Sequence, residues 1–173
     1  MDRIYILYFC AALLAACAPP GPPVKTGTAA AIPPDAAAAV AAIREAGAQF
    51  DSSVEVHPLR DPAVNGLLQQ AHAFEAQQQL PQAIDAMAKA LKIAPESPDL
   101  LQYQAELLIE SGDWKGGAAY AQSSYERGPK VGALCARSLQ TLIEANTVLG
   151  NDARVAQARQ QMLSCRVPAP ARY

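Results

Sequence analysis

This chain of 173 residues is short of the side chains that carry chemistry. It has two histidines, His57 and His72, and no Cys-x-x-Cys spacing. No Gly-rich phosphate loop, Gly-x-Ser-x-Gly elbow or His-Glu-x-x-His helix occurs in it. A metal site needs two or more clustered His, Cys or carboxylate ligands, so neither a metal nor a cofactor is expected. Glu106 and Glu110 come nearest to a pair of catalytic acids, and a solvated helix face accounts for them more simply. The chain is expected not to be an enzyme. Basic charge is scarce as well: the formal net charge is −2, which leaves nothing to hold nucleic acid. Nor is there a long apolar run. Ile4–Leu14 spans 11 residues, where a membrane-spanning helix needs roughly 20.

Aromatic residues are 6% of the chain although apolar residues are 51%, so much of the apolar content is alanine. Alanine favours helix and lets helices approach closely, but each one buries little area. Such a composition suits a stacked helical array better than one thick core.

Residues 1–16 read as targeting rather than fold. Arg3 supplies a sparse positive start, and the apolar run ends in Leu14-Ala15-Ala16-Cys17. This ending resembles the lipobox of bacterial lipoproteins. The resemblance implies that Cys17 becomes the mature first residue and carries lipid; an ordinary signal peptide or an uncleaved helix are the alternatives. Ala18, rather than Asp, follows the cysteine, which by the same resemblance implies the outer membrane, facing the periplasm. Several acyl chains anchor a protein stably without spanning the bilayer. Residues 17–34 then form a tether in which Pro19, Pro20, Pro22, Pro23, Pro33 and Pro34 favour an extended path. Fully extended, it would reach on the order of 50 Å. Asp35 is placed to cap an Ala-rich helix over residues 36–46, closed by Gly47, which either docks on the rest or stays half-ordered. Residues 52–60 read as linker.

Between Pro62 and Pro129 the chain says nearly the same thing twice at an offset of 34 residues: Leu67 with Leu101, Ala71 with Ala105, Phe74 with Leu108, Ala83 with Gly117, Pro95 with Pro129. Asp61-Pro62 and Ser97-Pro98 open the units as helix caps, and Gln78-Gln79 and Gly112-Asp113 mark the turns inside them. A third, looser unit places helices over 132–146 and 151–164, with its turn about four residues late and its first helix one turn longer. This pattern resembles the tetratricopeptide repeat (TPR), whose period is 34 residues. The resemblance implies an all-α fold: a short solenoid of about three helical hairpins over 61–165, followed by a tail over 166–173.

Cys10 leaves with the signal and Cys17 takes lipid, so Cys135 and Cys165 remain, in a compartment where disulfides persist. They stand 15 residues before Gly150 and 14 after Asn151, opposite one another across the last hairpin. A bridge there closes a loop worth about 3 kcal/mol in the chain-entropy model. Two buried thiols are the alternative.

TPR arrays line a concave groove with the first helix of each hairpin. The resemblance implies groove positions Leu68, His72 and Glu75 in the first unit, Gln102, Tyr103, Glu106 and Glu110 in the second, and Arg137 and Gln140 in the third. Only Arg137 fits the family's carboxylate clamp. A groove of amides, acids and an aromatic suits a neutral or basic peptide, or a helix laid in the channel; ordinary solvated faces are the alternative. The expected function is a membrane-anchored scaffold or assembly factor binding a protein partner in the bacterial envelope. Its rivals are a self-associating subunit and a contact regulator of an envelope enzyme.

Overall fold

The computed structural model describes residues 35–50 and 60–166. The lipobox with Cys17, the proline-rich tether, the linker with His57 and the tail from 167 lie outside the described residues. Among those described there is no strand, and no helix is long and apolar enough to cross a membrane.

Among the described residues seven α-helices follow in order: α1 (Ala36–Gln49), α2 (Pro62–Ala76), α3 (Leu80–Ile93), α4 (Pro98–Glu110), α5 (Trp114–Arg127), α6 (Gly132–Val148) and α7 (Asp152–Met162), closed by a 3-10 turn at Leu163–Cys165. The pairs α2/α3, α4/α5 and α6/α7 are antiparallel hairpins; α3 packs on α4 and α5 on α6, so the hairpins stack. The fold is all-α, a three-hairpin TPR-type solenoid with one additional helix before it.

The repeat is visible in the backbone itself. Each hairpin turns through one residue in the left-handed region: Gln78 at φ 58°, Gly112 at 88° and Gly150 at 70°. The next amide then reaches back five residues to close the first helix of the pair: Gln79 to Phe74, Asp113 to Leu108 and Asn151 to Asn146, all at 2.8 Å. The third turn comes four residues late because α6 has 17 residues where α4 has 13. Asp61 and Asp113 cap their helices by accepting from the amides of Ala63 at 2.7 Å and Gly116 at 2.8 Å. Ser97 departs from that expectation. Its hydroxyl donates to Asp99 Oδ1 at 2.8 Å instead of capping α4, and Arg60 pairs with the other oxygen of Asp99.

Small residues set the helix separations. Ala71, Ala83 and Ala105 are fully buried. At Gly117 an added Cβ would stand 2.6 Å from Ile109 Cδ1 and 3.1 Å from the Ala105 carbonyl, which puts α5 nearly in backbone contact with α4. The core divides along the stack: one cluster joins the first hairpin to α4 around Met87, Leu100 and Leu107, and a second joins α5, α6 and α7 around Leu139 and Leu142. In the second, Cys135 and Cys165 form a disulfide that ties α6 to the 3-10 turn after α7.

The third cluster belongs to α1. Asp35 caps it, accepting from Ala37 N at 3.0 Å, and the helix packs along α6 and across α4 through Ala39, Val40 and Ile43, against Ile109 and Ala145. The expectation that Gly47 ends this helix is corrected: α1 continues to Gln49. Gly47 is there for proximity, since a Cβ would lie 2.6 Å from Arg137 Cγ. Its contact with the start of α6, and that of Ala39 and Val40 near Ala145, makes α1 antiparallel to α6.

Candidate functional site: a helix seated on the concave face

The first helices of the three hairpins, α2, α4 and α6, form one face, and α1 lies on it. Helical spacing on α4 turns Gln102, Tyr103 and Glu106 toward that face, and all three are buried: Gln102 against Thr141 of α6, Tyr103 in the first core cluster under His72, and Glu106 beneath Arg44 of α1. The groove expected at these positions is occupied in part by the chain's own helix, which lies over Glu106 and Arg137, while His72 stays exposed. The solvated face expected for Glu106 and Glu110 is corrected for the same reason. Glu106 is 0% exposed, and one carboxyl oxygen of Glu110 is buried.

The residues beneath α1 form a single polar network. Glu106 Oε1 accepts from Arg137 Nη2 at 2.6 Å, from Arg137 Nε at 2.9 Å and from Gln102 Nε2 at 2.9 Å. The same Gln102 nitrogen lies 2.8 Å from Thr141 Oγ1, linking α4 to α6. Glu106 Oε2 faces the other way and accepts from Arg44 Nε of α1 at 3.1 Å. Glu75 on α2 behaves alike: the Tyr103 hydroxyl donates to Oε2 at 2.6 Å, and Arg44 Nη2 donates to Oε1 at 2.5 Å. His72 stacks on the Tyr103 ring, centroids 4.5 Å apart, with Nδ1 3.8 Å from Glu75 Oε2. Gln140 turns aside to donate to Glu144 at 2.6 Å, and Leu68 is half-buried against the first core cluster.

Charge and burial compete here. Burial works against the Glu75 carboxylate, but the Tyr103 hydroxyl and Arg44 outweigh it and hold the carboxyl below its ordinary range. Burial, and then the hydrogen bond to Glu75, push the Tyr103 phenol up. Burial disfavours the Arg44 cation, yet Glu75 and Glu106 together keep it charged more firmly than usual. Glu110 is left over. Burial raises its carboxyl, the charges of Glu75 and Glu106 raise it further against the opposing charge of Arg44, and one buried oxygen has no hydrogen-bond partner among the described residues. Three carboxylates meet two guanidinium groups.

Arg44 is the residue that sequence reasoning missed. It is the only basic residue of α1 and stands beside Ile43, so it goes wherever that apolar contact goes. This was the available signal. Thr141 carried none, because a threonine within a helix has no distinguishing pattern. Among the described residues no three metal-ligating side chains cluster.

No protein-family model matches the chain. The cellulose synthase 1 operon protein C of Komagataeibacter xylinus is 34% identical over 86 residues, 50% of this chain but 6% of that protein. The chain therefore spans a small fraction of that relative. The solved globular C-terminal domain of LpoP from P. aeruginosa aligns at a TM-score of 0.55 and 25% identity, over 61% of this chain and 99% of that one. The architecture is TPR-like. The match to a whole solved domain agrees with three hairpins forming a complete unit, since each buries its apolar face only against a neighbour.

Proposed function

We propose that the protein is a lipid-anchored, periplasm-facing adaptor of the bacterial cell envelope, with its three hairpins engaging another protein and its proline-rich tether setting the reach. The observation that carries this reading is α1 lying on the concave face, Arg44 between Glu75 and Glu106. A TPR-type face that holds a helix by apolar contact and a paired arginine is built for helix recognition. The similarity to an operon protein named for cellulose synthase and to a domain of LpoP supports a setting among envelope assemblies. The Leu14-Ala15-Ala16-Cys17 sequence supports anchoring through Cys17, in the outer membrane by default. A Cys135–Cys165 bridge suits an oxidising compartment. The protein acts by contact rather than by catalysis. Self-association through α1 is the weaker reading, because α1 is already packed on its own repeats.

The test is light crosslinking of the full chain in its own host. One dominant envelope partner is expected, lost together with palmitate-analogue labelling in a Cys17→Ala variant. Self-crosslinks alone, or an unlabelled wild type, would refute the adaptor or its anchor respectively.

A further inference from the structure

The carboxylates under α1 are divided in a particular way. Glu106 gives one oxygen to Arg137 and Gln102, which belong to the hairpins, and keeps the other for Arg44. Glu75 gives one oxygen to Tyr103 and keeps the other for Arg44. The hairpins thus hold both acids in place whether or not α1 is there, as a receptor site holds its groups before the ligand arrives. On its side α1 contributes Ala39, Val40, Ile43 and Gly47 as buried contacts, while the Arg44 side chain is 44% exposed.

Charge identifies what else would fit. Without α1 the site has Glu75, Glu106 and Glu110 against Arg137 alone, a strongly acidic floor beside the apolar Ile109 and Ala145. With α1 in place Glu110 still lacks a partner among the described residues. Because α1 runs antiparallel to α6, and so to α4, Glu110 lies toward the turn of α1 that precedes Arg44. That turn offers Val40 and Ala41, which have no donor.

We propose that the concave face of α4 and α6, with Glu75 of α2 at its edge, is a receptor for a basic helix of a partner protein, that α1 is a copy of that ligand carried in cis, and that a helix with two basic residues one turn apart displaces it. The inference rests on the adaptor reading above and names the partner's chemistry. A pair of cations satisfies Glu110 as well as Glu75 and Glu106, which α1 cannot do. Removal of α1 then opens the site only when a better ligand is present.

The probe is a labelled peptide of residues 35–50 carrying Ala41→Lys, added to the full chain in mild detergent. Saturable binding is expected, at least ~10-fold weaker for the same peptide with Arg44→Glu, since losing and reversing a paired charge is worth more than 1.4 kcal/mol. An Arg44→Glu substitution in the full chain expels its own helix without altering the site, and should bind the probe ~10-fold more tightly than wild type. Equal binding of the two peptides, or none to the folded Arg44→Glu chain, would overturn the proposal. If that variant does not fold, hydrogen exchange on the wild type decides. Amides of α1 exchanging at least ~10-fold faster than those of α4 support a detachable helix, and equal protection overturns it. A wild-type dimer held by exchanged α1 would also overturn it, by making a second copy the ligand. Peptide binding without an envelope partner in the crosslinking test would leave the receptor standing and remove the adaptor; a crosslinked partner without peptide binding would do the reverse.

Discussion

The central helix of this array and two helices at its periphery are stabilised by different means. Nine of the 13 residues of α4 are buried, Gln102, Gln104 and Glu106 among them. Of the 14 residues of α1, four are buried, and of the 11 of α7, two. A helix with neighbours on every side is held by packing, and its polar residues become internal. A helix packed from fewer sides gains from a local device. For α1 it is Arg44 set between two carboxylates; for α7 it is the disulfide that follows it. The lesson is that burial in a stacked array depends on which helices cover a face as much as on side-chain type, since α5, beside α4 in the stack, buries only three of its 14 residues.

That contrast can be broken or sharpened by experiment. The largest effect is expected from Glu106→Ala, which takes the buried carboxylate from between two guanidinium groups. Urea unfolding should show a loss of about 3 kcal/mol for the whole array. A loss below 1 kcal/mol would mean that α4 is not the keystone. Opening the bridge with Cys135→Ala and Cys165→Ala should cost about 3 kcal/mol by loop entropy. Here the loss should be local first: amides of α7 should lose protection from hydrogen exchange before those of α4, and simultaneous loss would erase the distinction between end and middle. Gly117→Val pushes a branched side chain into Ile109 and the Ala105 carbonyl. Overpacking of this kind costs about 1–3 kcal/mol, read as a lower urea midpoint.

Two smaller effects test the ends and the face between them. Gln78 occupies the left-handed turn position that Gly112 and Gly150 fill in the other hairpins. Gln78→Gly should raise stability by about 0.5–1 kcal/mol, seen as a higher thermal midpoint; no change would mean that the first turn is already relaxed. The smallest effect concerns pH. Glu110 has a raised carboxyl in the folded state, so its contribution to stability is whole below the unfolded value and declines as pH rises through the folded one. Glu75 is lowered and has the opposite sign: its contribution is present above the unfolded value and declines as pH falls through the folded one. Glu110→Gln should therefore be the more stable protein at neutral pH, the gap closing on acidification through the carboxylate range. A gap that widens on acidification would reverse the assignment.

Much of the fold is legible without coordinates. The 34-residue offset, the Asp61-Pro62 start and the late third turn depend on local chemistry: which residue caps, which accepts a left-handed φ, which spacing keeps one helical face apolar. Such features act within a few residues, so the chain order records them. The expectations that were corrected are non-local. Gly47 looks like a helix end because glycine is a common C-cap, and only the approach of Arg137 explains its place within the helix. Ser97 looks like a cap, and only Asp99 with Arg60 redirects it.

The concave face shows the same division more sharply. The amino-acid sequence by itself determined three hairpins, their turns, and which helices present Glu75, Tyr103, Glu106 and Arg137 to a common side. It also placed one arginine beside the apolar stripe of an alanine-rich helix. Only the tertiary structure decided that this helix lies on that side, and hence that the acids are buried and paired rather than solvated. The physical reason is that a carboxylate's state depends on the dielectric and the charges within a few ångströms of it. Those neighbours come from residues 31 and 62 positions away, Arg137 and Arg44. Periodicity can say which way a side chain points, but not what will cover it.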